Sequence, residues 1–464
     1  MKASRILLFF AAVVLCLAMV AWLFPAEGVR VGNTTLRFPS LHRIFAGPEP
    51  EVNLDSINAA EEERQRQLAM FNDSVDYYSA LLLEGPSRFW FPDGDSTFFD
   101  TLFRLLDTAA PSGRVVRIMH YGDSQIEMDR MTNRLRAAMQ RTFGGSGAGM
   151  LPILQGMYCP AVNQHTRGDL ALRICYGDSL EQRANGNYGP MMRCFHLSGN
   201  ASCSVSKSSH PAPDELVGSF SRVRLLVNSF EGLTATLTIK KTAYSESRQA
   251  EQPGVQMFEW RLDSAVTGAS LSLAGNADIY GLLLDDSCGV AVDNIAMRGC
   301  SGQQFSMVNR GQLRDSYSHL DVGLIIMQFG GNSVPYIRTK ESLETYCTSL
   351  GRQIDLLHEL CPQATILFVG PSDMSTTSGG DWCTYAYLPD IIDGLRETAN
   401  SHDAAYWSIY HAMGGRNSMV AWYNASLAGA DHLHFTPKGA DQMGNQLADA
   451  LLNAYRFYRF RNNQ

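Results

Sequence analysis

No run of five or six like charges occurs in the 464 residues, no CxxC or Cys/His pair stands at zinc-binding spacing, and charged side chains make up only 18% of the chain. The first absence removes the basic patch that neutralising phosphates requires, and a net charge of −8 points the same way, so nucleic acid is not expected as a partner. The second absence leaves no structural zinc site, and neither metal nor cofactor is expected. What is present is 45% hydrophobic residues, enough for a large core spread over two or three domains.

The chain opens MKASRILLFFAAVVLCLAMVAWLFPAEG, with Lys2 and Arg5 ahead of an uncharged apolar run from Ile6 to Phe24. As a helix rising about 1.5 Å per residue, that run nearly spans a ~30 Å hydrocarbon layer. No small-x-small cleavage site follows it, so residues 1–25 are expected to form an uncleaved transmembrane signal anchor. The flanking basic residues would keep the N-terminus inside and export the rest. Cys16 then reads as a membrane-embedded thiol. Nine further cysteines lie in the exported part, an odd number, so at least one must stay free or pair between chains.

Residues 26–90 read as a stalk and a helical linker. Residues 91–150 and 287–464 alternate strand-like and helical runs, which predicts an α/β domain with a parallel sheet covered by helices on both faces. Between them, residues 151–286 offer only strand-like runs separated by turn residues, which predicts a β-sandwich inserted between the first and second strands of that sheet.

Gly-Asp-Ser occurs three times, ending at Ser96, Ser124 and Ser179. Ser96 precedes Phe98, Phe99, Leu102, Phe103 and Leu106 at helical spacing and is expected to cap a helix. Ser179 falls in a polar loop of the insertion. Ser124 alone follows a buried strand (114–121) and precedes apolar positions at Met131, Leu135, Ala138, Met139 and Phe143, a strand, tight turn and helix that places it at the carboxyl edge of the sheet. A serine there becomes a nucleophile when a base removes its proton and an acid orients the base. Asp431 and His434, in DHLH, are close enough for one turn of backbone to join carboxylate and imidazole. The Ser124 N–H, a glycine N–H and an amide side chain would bind an oxyanion.

GDS after the first strand, the glycine of AMRGCSG, GGN after a central strand and DHLH before the last helix resemble, in order, the four blocks of the SGNH/GDSL hydrolase superfamily. The resemblance implies a flavodoxin-like sheet and an acyl-ester hydrolase or acyl transferase. It implies Ser124 as nucleophile, Gly299 and Asn332 as oxyanion donors beside the Ser124 N–H, Asp431 as orienting acid and His434 as base. Gly302 could replace Gly299 if the turn is shifted. Gln125 and Ser333 depart from the usual Leu and Asp of the first and third blocks.

The contexts HYGDSQIEMDRM, FGGSGAGMLP and AMGGRNSM are similar to exported bacterial peptidoglycan O-acetylesterases, some of which carry a carbohydrate-binding-module-like sandwich at this insertion site. The implied protein sits in the bacterial cytoplasmic membrane, with its catalytic domain in the periplasm or outside, and removes acetyl groups from a cell-envelope polysaccharide. An O-acyltransferase with the same triad, or a non-catalytic glycan-binding scaffold, would share these features. His120 is expected in the core and His432 at the surface. Tyr188, Phe195, Phe258, Trp260 and Tyr280 would fill the sandwich core or form a sugar-stacking platform.

Overall fold

A computed structural model describes residues 3–23, 29–31, 34–36, 54–69, 75–156, 158–177, 186–208, 215–240, 244–250 and 252–462. Five parallel strands build its central sheet: Val115–Gly122 (β1), Gly289–Ala296 (β2), Val322–Gln328 (β3), Thr365–Gly370 (β4) and Ala405–Ser408 (β5). Their order is β2-β1-β3-β4-β5, the flavodoxin-like sequence, and the strand Phe89–Trp90 closes the β5 edge antiparallel. The chain reverses direction across the sheet between β1 and β3. Ligands of open α/β sheets lie beyond the strand ends at such a point.

These strands are apolar because both faces are covered. All eight residues of β1 and all seven of β3 are buried. Alternate side chains divide between two cores. Met119, Tyr121, Ile325 and Met327 pack beneath the helices Arg310–Ser318, Lys340–Leu360 and Leu388–Ser401. Ile118, Leu324 and Ile326 face the other way, toward Asp100–Ala109, Thr132–Phe143 and Pro437–Arg461. The linker joins this second layer, since Tyr78 stacks 4.9 Å from Phe460 on the last helix.

The insertion stands where the sequence places it, between β1 and β2. Its seven strands, however, hydrogen-bond as one antiparallel sheet rather than two. The long strand Phe220–Ile239 pairs with Gly254–Val266 along its first half and with Tyr244–Gln249 along its second. Register breaks at Gly275/Ala277 and Ile279/Gly281 let the neighbouring strand Gly268–Asp285 bend, so a single sheet curls over its own core. Tyr188, Phe195, Phe258, Trp260 and Tyr280 are all buried, so none of the five forms an exposed platform.

A buried ionic network joins insertion to sheet. Arg117 on β1 pairs with Asp293 on β2 and with Asp285 at the end of the insertion, and Asp285 also accepts from Arg224 at 2.8 Å. The insertion is therefore built into the α/β core, not tethered beside it.

Among the described residues no helix is long and apolar enough to cross a membrane, and the expected transmembrane segment gains no support from the fold. The N-terminal helix Ala3–Leu23 forms. None of the ten cysteines is joined in a disulfide among the described residues.

Candidate active site

β1 ends at Gly122, and Asp123, Ser124 and Gln125 follow at the β1/β3 reversal. The helix expected directly behind Ser124 starts only at Thr132. The intervening loop holds Met128, Asp129 and Met131 with φ between 58° and 60°, a region that side chains rarely occupy. The surroundings over-determine it. Arg136 grips Asp129 through two bonds of 2.6 and 2.8 Å, and Arg130 donates to the carbonyls of Ser124 (2.7 Å) and Phe435 (3.2 Å). No helix N-terminus therefore points at Ser124, and any anion at that spot depends on individual donors.

From the opposite edge, the loop before the last helix brings His434 to the serine. Ser124 Oγ lies 2.8 Å from His434 Nε2, and His434 Nδ1 lies 2.7 Å from Asp431 Oδ2. Asp431 Oδ1 accepts the backbone N–H groups of Leu433 and His434, each at 3.1 Å. Desolvation opposes the Asp431 charge, but the His434 ring and those two N–H groups outweigh it and hold the carboxyl below its ordinary range. A serine, an imidazole and a carboxylate thus share one hydrogen-bonded line, an arrangement that can take a proton from Ser124 Oγ.

Oxyanion donors are unequally disposed. The backbone N–H groups of Ser124 and Gly299 meet no acceptor among the described residues. Gly299 has φ 78° with open space where a Cβ would stand, and it lines a hollow beside the serine pocket. Gly302 is packed against Phe329 and Leu350 and lines neither hollow, which favours Gly299 as the exposed glycine of this loop. Asn332 borders both cavities, but its Nδ2 donates to Asp123 Oδ2 at 3.1 Å and to the Cys300 carbonyl at 2.9 Å. It ties the three loops together, and any bond to an oxyanion would be shared.

The cavity over Ser124 is small, about 160 Å³, and is walled by Phe329, Pro335, Pro371, Met374, Ile409 and Leu433. That is below the roughly 300–1,000 Å³ of drug-sized sites and suits a short acyl group.

The structure brings Ser124, Asp431, His434 and Asn332 together and sets Gly299 next door. Ser96 does not cap a helix: Asp95 accepts from Thr97 N and Oγ1, and the helix begins at Asp100. Asp178 and Ser179 lie outside the described residues. His120 is in the core as expected, bonded to Gln328 and Thr132 with its pKa lowered by burial to about 4. His432 is not at the surface. Its backbone takes φ 52° and its ring, 3% exposed, is sandwiched between Trp382 at 4.0 Å and Tyr423 at 4.4 Å. Trp382 from a hairpin remote in the chain stacks on that ring and Tyr423 from the preceding helix meets it tilted by 41°, and no local pattern announces either.

Two supporting residues escape sequence reasoning. Gln125 donates to the Leu433 carbonyl at 2.7 Å and accepts from Phe435 N at 3.3 Å, bracketing His434. Its departure from the familiar Leu was the available signal. Asp123 is buried, and burial raises its pKa to about 6 against the hydrogen bonds from Gln125 N and Asn332.

Residues 263–442 match the GDSL-like Lipase/Acylhydrolase family. The match holds Gly299, Asn332, Asp431 and His434 but stops short of Ser124, which the insertion displaces far upstream. Among curated proteins none matches the sequence. Among solved structures, one described as a peptidoglycan O-acetylesterase aligns with 21% identity and a TM-score of 0.63, over 80% of this chain and 99% of its own. Family two carbohydrate esterases from Cellvibrio japonicus (12% identity, TM-score 0.26, 64% of this chain and 99% of that one) and Clostridium thermocellum (11%, 0.28, 62% and 100%) also align.

Proposed function

We propose that this chain, similar over residues 263–442 to the GDSL-like Lipase/Acylhydrolase family and in fold to a peptidoglycan O-acetylesterase, is a carboxylic ester hydrolase that removes O-acetyl groups from a cell-envelope glycan such as peptidoglycan. The observation that carries this reading is the line Ser124–His434–Asp431 opening into a cavity of about 160 Å³. An acetyl group fits such a space, and a long acyl chain would not.

In this reading His434 Nε2 takes the proton from Ser124 Oγ as the oxygen attacks the ester carbonyl, and Asp431 stabilises the imidazolium. The oxyanion is met by the N–H groups of Ser124 and Gly299 and by a shared bond from Asn332, each such donor being worth about 10²–10³ in rate. The tetrahedral intermediate collapses as His434 returns the proton to the departing sugar oxygen. Water, deprotonated by His434, then attacks the acetyl-serine, releasing acetate and restoring the Ser124 hydroxyl. Every proton step uses this chain's own residues.

The N-terminal apolar run is proposed as a membrane anchor that exposes the remaining chain to the periplasm or cell exterior. Leu8, Phe9, Phe10, Val14 and Leu15 are each more than half exposed, which supports a lipid environment for this helix. Resistance of the full chain to alkaline extraction from membranes, and solubility of a chain beginning at Leu54, test it.

The enzymatic reading is tested by acetate release from O-acetylated peptidoglycan. Free acetate in the absence of a sugar acceptor supports hydrolysis. Acetate appearing only as ester on an added sugar would move the assignment to acyl transfer, and no reaction with any ester would leave a binding scaffold.

A further inference from the structure

Beside the serine cavity lies a second hollow of about 430 Å³, large enough for a ligand of its own. The two share Asn332 and Tyr336 in their walls, so they adjoin across those residues. Tyr336 is 81% exposed, more than any other large apolar side chain described. It is nevertheless held firmly: its N–H bonds to the Ser333 carbonyl at 3.0 Å, that of Ile337 bonds to the same oxygen at 3.1 Å, and Thr339 caps the next helix. An exposed aromatic ring on fixed backbone presents a face to ligand with little ordering left to do.

The rest of the hollow is polar yet carries no ionisable acid or base apart from tyrosine. Ser301, Gln303, Ser342 and Thr345 surround it, with Ile337 and Tyr346 as its apolar part. Gln303 Nε2 meets no acceptor among the described residues. Hydroxyl and amide groups around an aromatic face suit a neutral, polyhydroxylated ring, whose C–H face stacks while its rim hydrogen-bonds. A phosphate or carboxylate would find no cation there.

The geometry points to a sugar subsite: Tyr336 stacks on a neutral pyranose of the glycan, next to the residue whose acetyl ester lies over Ser124. This rests on the glycan-esterase reading above and adds where the neighbouring sugar lies. It also separates the small acyl cavity, which fixes what is removed, from the hollow, which fixes the polymer it is removed from.

Two measurements keep the two readings apart. In the full chain, Tyr336→Ala should lower kcat/KM on O-acetylated glycan about 5- to 10-fold more than on p-nitrophenyl acetate, the excess appearing in KM, while Tyr336→Trp retains both. An equal loss on both substrates, or no loss on the glycan, overturns the subsite. Independently of turnover, Ser124→Ala protein titrated with unacetylated β-1,4-linked N-acetylglucosamine oligomers should show binding that Tyr336→Ala abolishes. If wild type hydrolyses no glycan ester but this binding holds, the esterase assignment falls and the subsite stands. If binding is absent or insensitive to Tyr336, the subsite falls.

Discussion

Gln125 holds the backbone on both sides of His434, donating to the carbonyl before it and accepting from the N–H after it. The imidazole is thereby fixed from one side by Asp431 and from the other through its own main chain. Gln125→Leu keeps the volume and deletes both bonds. At about 0.5–1.5 kcal/mol for each hydrogen bond, kcat for ester hydrolysis should fall about tenfold with KM nearly constant. Steady-state kinetics on p-nitrophenyl acetate check this; an unchanged kcat would mean that Asp431 alone positions the ring.

Ser124 and Ser179 provide a sharper comparison, because both follow Tyr-Gly-Asp. Ser124→Ala should reduce acetate release at least ~10³-fold, since no other hydroxyl lies on the His434 line, whereas Ser179→Ala should keep wild-type activity. Loss of activity in the Ser179 variant alone would overturn the site.

Asp123 gives a pH signature. Its folded pKa of about 6 lies above its unfolded value, so folding takes up a proton between roughly pH 4 and 6. Stability is therefore highest at the acid end of that window, and ionisation of the buried carboxyl removes on the order of 3 kcal/mol as pH rises through it. Asp123→Asn should abolish that slope in urea-denaturation free energies measured from pH 4 to 7. A slope unaltered by the substitution would assign it to other groups, such as buried Asp373, whose pKa is also raised to about 6.

The sheet, the insertion and the pairing of Asp431 with His434 are legible because each is written locally. Strands buried on two faces read as apolar runs, and a carboxylate three residues from a histidine is a contact within one turn. Residues whose role depends on remote segments are not legible. His432 looks exposed in sequence because its immediate neighbours do not cover it, and it is buried because Trp382 arrives from a hairpin remote in the chain and Tyr423 from the preceding helix. The helix after Ser124 is misread for a related reason. Apolar spacing marks Leu135 to Phe143 correctly, but the left-handed residues ahead of the helix are stabilised by Arg130 and Arg136 through contacts that periodicity does not encode. The curled single sheet of the insertion likewise follows from bulges, which leave the alternation of strand residues almost intact.

The Trp382–His432–Tyr423 stack is expected to stiffen the loop that carries Asp431 and His434. His432 also offers its carbonyl to Ser375 N at 3.1 Å, so both its ring and its backbone bind the Ser375–Ser378/Asp381–Thr384 hairpin. Trp382→Ala removes one face of the sandwich while leaving that backbone bond. Because a stacked aromatic pair contributes about 0.5–1.5 kcal/mol beyond burial, kcat should drop several-fold while the urea midpoint moves little. His432→Phe, which keeps a flat ring, should retain most of the wild-type rate. Loss in His432→Phe with none in Trp382→Ala would show that the imidazole nitrogens, and not the stack, hold the loop.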